Sequence, residues 1–287
     1  MAYRSRLSPE ARYSPALAAG FSRYLSWYLA RHFHGVRVAR GGLPHLLPDR
    51  PHVIFTNHPS WWDPAFFLFL QSHFFPRHRG FGPMDAAALA RYPILERVGV
   101  FGIDLDSARG AARFFRVCTG LLADPANLVY ITAQGRFTDT RVRPLRLRPG
   151  LAHLARAFPD VVMLPLAVEY CFWDESRPEA LCRFGEPIEV ASNGGRALGV
   201  REWTLQFELA LERNLEALSA ASRQREAHLF QSLLGGRSGV GGVYDVWRRL
   251  RAWSRGAHFD PAHGARRPAE PSHGEPSHGE PSHGESS

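Results

Sequence analysis

The sequence predicts an α/β fold: a mostly parallel central sheet covered by helices, with an N-terminal amphipathic helix and a helical C-terminal region. Two observations lead there. Short apolar runs such as "HVIFT", "VFGIDL", "NLVYIT" and "VVMLPLAVEY" recur along the chain. Between them lie longer segments whose apolar residues fall at helical spacing. Strands and helices alternating at this interval are the pattern of a mostly parallel sheet with helical cover. The chain has 287 residues and is 45% hydrophobic, enough for one large domain with a real core or two small ones.

Each element has its own reason. Residues 10–34 read as a helix, because Leu17, Phe21, Tyr24, Leu25, Tyr28, Leu29 and Phe33 recur at helical spacing. Arg23 and Arg31 flank that aromatic stripe, which suits either a lipid interface or ordinary packing on its own domain. "HVIFT", residues 52–56, is a buried strand. "PAFFLFLQSHFF" starts a helix, with Pro64 at a tolerated first-turn position. "DAAALARYPILERVG" reads as helix, "VFGIDL" as strand, and "SARGAARFFRVCTGLLAD" as helix opened by Ser107. The strand "NLVYIT" leads into an arginine-rich loop, residues 133–148. "PGLAHLARAF" is helical and "VVMLPLAVEY" a strand that "LCRFGEPIEV" pairs with across an intervening loop. A long helical pattern runs from Glu202 to Leu234, and "VYDVWRRLRAW" forms a short cationic helix after a Gly-rich break.

The expected organisation is an N-terminal helical segment over 1–34, an α/β core over 35–200, C-terminal helices over 201–255 and a tail over 256–287. The tail carries the repeat "EPSHGEPSHGEPSHGESS", which has no apolar content and cannot bury a core.

The formal net charge is +8, and every basic residue is arginine. Arginine forks onto phosphate and carboxylate and is weakly hydrated, which suits an anionic surface. The cationic balance alone fits an anionic membrane or nucleic acid. Nucleic-acid binding lacks a second sign, since no zinc spacing, helix-turn-helix or RNA-binding aromatic signature is present. Cys118, Cys171 and Cys182 are odd in number and widely spaced, which points to a reducing compartment and no disulfide framework. No run approaches ~20 uninterrupted apolar residues, so a membrane contact would be peripheral.

The chemistry concentrates in "FTNHPSWWDP", residues 55–64. His58 follows the strand "HVIFT", in a loop on a rigid scaffold. Asp63, five residues on, is able to hold one ring nitrogen, fix the tautomer and leave the other nitrogen as an acceptor. On spacing alone such a pair is more often structural, and Asn57 equally suits a turn. Nothing marks Ser60 as a nucleophile, and no Gly-x-Ser-x-Gly elbow is present. The aromatics Trp61, Trp62, Phe66, Phe67, Phe69, Phe74 and Phe75 read chiefly as core, with the two tryptophans better placed for substrate.

"NHPSWWD", with Asn57, His58 and Asp63, resembles the asparagine–histidine–four residues–aspartate signature of the glycerolipid and lysophospholipid acyltransferase family. "VGVFGIDLD", "VYITAQGRF" and "VVMLPLAVEY" resemble that family's later blocks in the same order, over roughly residues 35–190. The third block departs from the pattern. Ala133 and Gln134 stand where the family has proline and glutamate, Arg136 sits one place early, and Phe137 occupies the arginine position that steers a glycerol phosphate acceptor. Arg136, Arg141 and Arg143 are alternative phosphate contacts from the same loop.

The resemblance implies transfer of a fatty acyl group from acyl-CoA or acyl carrier protein to a hydroxyl of a lysophospholipid, glycerol phosphate or related lipid. His58 would be the general base and Asp63 its orienting partner. Asn57, Gln134, Gly135, Arg136 and Arg143 would bind substrate. Gly135 would allow close backbone approach, with nearby N–H groups receiving the oxyanion. No metal or bound cofactor is implied. The expected partners are the thioester donor, the lipid acceptor and an anionic membrane surface, not nucleic acid, with the protein cytoplasmic and peripheral on the inner face of the cytoplasmic membrane. Two other readings stand beside this one: a membrane-associated relative with altered chemistry, and a cationic nucleic-acid-binding protein.

Overall fold

The run His52–Thr56 is the fourth strand of an eight-strand path, with a ninth strand attached to one of its members. The computed structural model describes residues 8–104 and 106–236. In chain order the elements are α1 (Pro9–Arg12), α2 (Pro15–His32), β1 (Gly35–Ala39), β2 (His52–Thr56), α3 (Asp63–Phe74), β3 (Arg79–Asp85), α4 (Ala86–Leu89), β4 (Val100–Ile103), α5 (Ala108–Leu121), β5 (Asn127–Thr132), α6 (Gly150–Ala157), β6 (Val162–Cys171), β7 (Glu179–Phe184), β8 (Ile188–Glu189), α7 (Val200–Gln224) and β9 (Phe230–Gly235).

The strand order is β4-β3-β5-β2-β6-β7-β1-β9, with β8 paired to β6. The first five strands run parallel. Beyond β6 the sheet is mixed: β7 is antiparallel to β6, β1 parallel to β7, and β9 antiparallel to β1. The predicted pairing of "LCRFGEPIEV" with the preceding strand is present as β7 and β8 against β6.

Strand alternation sorts side chains into two cores. Val53, Phe55, Val129, Ile131, Met163 and Ala167 face one side, where α5, α6 and α7 cover them. Ile54, Leu128, Leu164, Leu166 and Val168 face the other, under α2 and α3. Strands buried on both faces read as unbroken apolar runs, which is why β2, β5 and β6 were legible.

This two-sided cover positions the site. Chain leaving β2 enters α3 on one face, and chain leaving the adjacent β5 enters α6 on the other. Neighbouring parallel strands whose connections diverge open a crevice at their carboxyl ends. The loop after Thr56 and the loop after Thr132 both begin there, in register with each other.

Several predicted elements differ. The single helix over 10–34 is two, because Ser14 accepts a hydrogen bond from the Leu17 N–H and starts a new helix at Pro15. Its stripe divides: Leu25, Leu29 and Phe33 are buried, whereas Tyr24 is exposed, as is Trp27 beside it. "DAAALARYPILERVG" forms α4 and a 3-10 turn over Pro93–Val98, interrupted before the proline. The helix predicted to Leu234 stops at Gln224, where Arg225 adopts a left-handed conformation at φ 54°. The chain then turns back, and β9 covers the outer edge of β1. Strands β1 and β3 were not anticipated. The helix expected in "VYDVWRRLRAW" and the repeat tail lie outside the described residues.

No helix among the described residues is long and apolar enough to cross a membrane. The described residues contain no group of three or more metal-ligating side chains.

Candidate active site

Four residues separate His58 from Asp63, and a loop turn closes that gap. Asp63 is the first residue of α3, so its carboxylate sits where unpaired helix N–H groups favour negative charge. His58 Nδ1 and Asp63 Oδ2 lie 2.6 Å apart. The Ser60 N–H also donates to Oδ2, at 3.3 Å. The other carboxylate oxygen accepts from the Tyr170 hydroxyl at 2.9 Å.

Asp63 is fully buried, while the His58 side chain is 19% exposed. Burial pushes the Asp63 carboxyl above its ordinary range, and hydrogen bonds from His58, Tyr170 and Ser60 oppose that push. Burial, then the neighbouring Asp63 charge, pushes the Tyr170 phenol well above its usual value. Tyr170 therefore remains a neutral donor. An ionised Asp63 only accepts, so Nδ1 carries the proton and Nε2 keeps its lone pair. No described residue hydrogen-bonds Nε2, and it is not among the buried unpaired atoms. A ring held in this way is able to take a proton from a group brought to Nε2.

The sequence reading missed Tyr170. It lies 107 residues from Asp63 and reads locally as one more strand residue of β6. Its ring packs against Phe33 of the α2 end and Phe66 of α3.

Three expected substrate contacts are engaged by the protein's own groups. Asn57 is buried, and its amide both donates to the Val168 carbonyl at 2.8 Å and accepts from the Val168 N–H at 2.9 Å. That pair of bonds ties the end of β2 to β6. Gln134 is also buried: its Oε1 accepts from the His58 N–H at 3.0 Å, and its Nε2 donates to the Leu145 carbonyl at 3.3 Å. Gln134 thus holds the backbone that carries the imidazole. Arg143 pairs with Glu216 of α7 at 2.8 Å and donates to two carbonyls of its own loop. These polar groups are buried or pinned because the loop backbone would otherwise lack partners.

Gly135 has φ 64°, and its N–H donates to the Thr132 carbonyl at 3.0 Å. A Cβ there would come within 2.6 Å of Arg148 Nε, so the turn needs glycine. That N–H is occupied and is not a free oxyanion donor.

Arg136 is exposed, and its side chain has no partner among the described residues. Arg141 is forked onto Asp139, and Arg148 pairs with Asp106. Phe137, in turn, lies against His58: its ring centroid is 4.4 Å from that of His58, with the planes tilted by 42°. The Thr138 N–H donates to the His58 carbonyl at 2.9 Å, which locks the two loops together.

Among the aromatics of the motif region, Phe66, Phe67, Phe69 and Phe75 are core, as expected. Trp62 packs against Tyr28, His32 and Phe33 of α2 and its cap, and Trp61 is 69% exposed.

No family model matches the sequence, and no curated protein matches it. Among solved structures the chain is similar to a 1-acyl-sn-glycerophosphate acyltransferase from Thermotoga maritima, at 17% identity and a TM-score of 0.49, over 76% of this chain and 84% of that one.

Proposed function

We propose that the protein is an O-acyltransferase that moves a fatty acyl group from a thioester to a lipid hydroxyl. One observation carries this reading: the 2.6 Å bond between His58 Nδ1 and Asp63 Oδ2, inside an Asn-His-x4-Asp stretch at the carboxyl ends of parallel strands. The substrate brings its own hydroxyl, so no protein nucleophile is required.

In the proposed step, Nε2 takes the proton as the hydroxyl oxygen attacks the thioester carbonyl. Positioned proton transfer of this kind is worth about 100- to 10,000-fold. Asp63 stabilises the imidazolium that forms, and Tyr170 keeps Asp63 in place. The tetrahedral intermediate collapses with cleavage of the C–S bond. His58 returns its proton to the leaving thiolate, giving an ester and a free thiol.

The donor, acyl-CoA or acyl carrier protein, is anionic. Arg136 is an exposed cation of this loop that supports its capture. An anionic membrane surface supplies the acceptor. The exposed aromatics Tyr24, Trp27 and Trp61 support that contact, with the Arg31 guanidinium 5.9 Å from the Trp27 ring.

Mass spectrometry of lipids from cells expressing the protein or its His58→Ala variant tests the reading. An acyl ester that accumulates only with intact His58 is the expected result. Identical lipid profiles would remove acyl transfer as the function.

A further inference from the structure

An aromatic ring lies beside the proposed base. Phe137 lies 4.4 Å from the His58 ring, tilted by 42°, yet 61% of it is exposed. The Thr138 N–H to His58 carbonyl bond holds it there. An apolar ring left open beside the imidazole offers an apolar contact to a substrate brought there.

Loop charges follow a different pattern. Arg141 is held by Asp139, Arg143 by Glu216 and Arg148 by Asp106. At Arg146 only the backbone N–H is held, by Glu208 of α7, and the side chain is exposed. The dyad itself brings a carboxylate, Asp63, against the ring. A phosphate only a few bonds from the reacting hydroxyl would sit beside that carboxylate and a phenyl ring, an unfavourable place for a desolvated anion.

We propose that Phe137 selects an uncharged acceptor, a lipid alcohol such as a monoacylglycerol, whose apolar part lies on the Phe137 ring while its hydroxyl reaches Nε2. This rests on the acyl-transfer reading above. Arg136 then serves the phosphates of the donor. Phe137 acts as a specificity residue and takes no part in bond making.

The test is a competition assay with the full chain, using palmitoyl-CoA and palmitoyl-acyl carrier protein as donors. Monoacylglycerol and lysophosphatidate are offered together in mixed micelles, and both ester products and free thiol are counted. The wild type is expected to favour monoacylglycerol in kcat/KM by about 10-fold or more. Phe137→Ala should raise the KM for monoacylglycerol by about 10-fold while leaving that for lysophosphatidate unchanged, and Phe137→Tyr should restore it. Phe137→Arg should shift the ratio towards lysophosphatidate. Wild-type preference for lysophosphatidate, or equal effects of Phe137→Ala on both acceptors, would overturn the acceptor assignment while His58-dependent transfer survives. No His58-dependent ester from either acceptor would overturn it together with the reaction on which it rests.

Discussion

His58 Nδ1 and Asp63 Oδ2 stand 2.6 Å apart, one on the loop leaving β2 and the other at the first position of α3. The carboxylate gains nothing from water, since it is fully buried, and depends on three internal donors. Asp63→Asn should preserve this packing, because an amide is nearly the same size. It would present an N–H or a weaker acceptor to the ring and favour the wrong tautomer. Acyl transfer should fall by about 1,000-fold or more, with the thermal midpoint moved by only a few degrees. A rate within ten-fold of wild type would remove Asp63 from the proposed mechanism.

Tyr170 offers a finer probe. Its hydroxyl is one of the donors that favour the ionised form of Asp63. Tyr170→Phe keeps the ring against Phe33 and Phe66. Loss of one hydrogen bond of about 1 kcal/mol should lower kcat by about 5- to 10-fold, with KM unchanged. The Asp63 carboxyl should rise further, so the acid limb of the kcat profile should move to higher pH. An unmoved limb would leave Tyr170 with a packing role only.

Arg136 separates binding from chemistry. Its side chain is exposed and without a described partner, so its removal disturbs no internal contact. Arg136→Ala should raise the KM for palmitoyl-CoA by about 10-fold at low ionic strength and leave kcat in place. The difference should shrink as salt is added, because an exposed charge is screened. Equal KM values at every salt concentration would argue against a donor contact.

His52 links pH to stability through burial. Its Nδ1 donates to the Arg50 carbonyl at 2.7 Å, and its Nε2 accepts from the Leu47 N–H at 3.0 Å. Burial pushes its pKa down to about 4, against about 6.5 in an unfolded chain. Above 6.5 the ring is neutral in both states. Below 6.5 the unfolded chain takes up the proton first, so stability is lost as pH falls from about 6.5 towards 4. Urea unfolding at pH 7 and pH 4.5 should show about 2 to 3 kcal/mol of this loss in the wild type. His52→Gln should lose correspondingly less between the two pH values. Parallel losses in both proteins would mean that His52 titrates normally.

The α/β class, the runs that became β2, β5 and β6, and the pairing of His58 with Asp63 follow from the sequence by itself. The physical reason is local: two-sided burial writes an uninterrupted apolar run, and a spacer of four residues keeps its two ends within reach. Only the tertiary structure decided the rest of the site. Asn57 reaches Val168 and Tyr170 reaches Asp63 across more than a hundred residues, and Gln134 and Phe137 meet His58 from a loop on the neighbouring strand. It also decided that Phe230–Gly235 is a strand, although its spacing suits a helix, because the open edge of β1 supplies backbone partners that no local pattern records. A sequence shows which polar groups a chain contains, but the partners that distant segments bring to them determine whether those groups hold the scaffold or face a substrate.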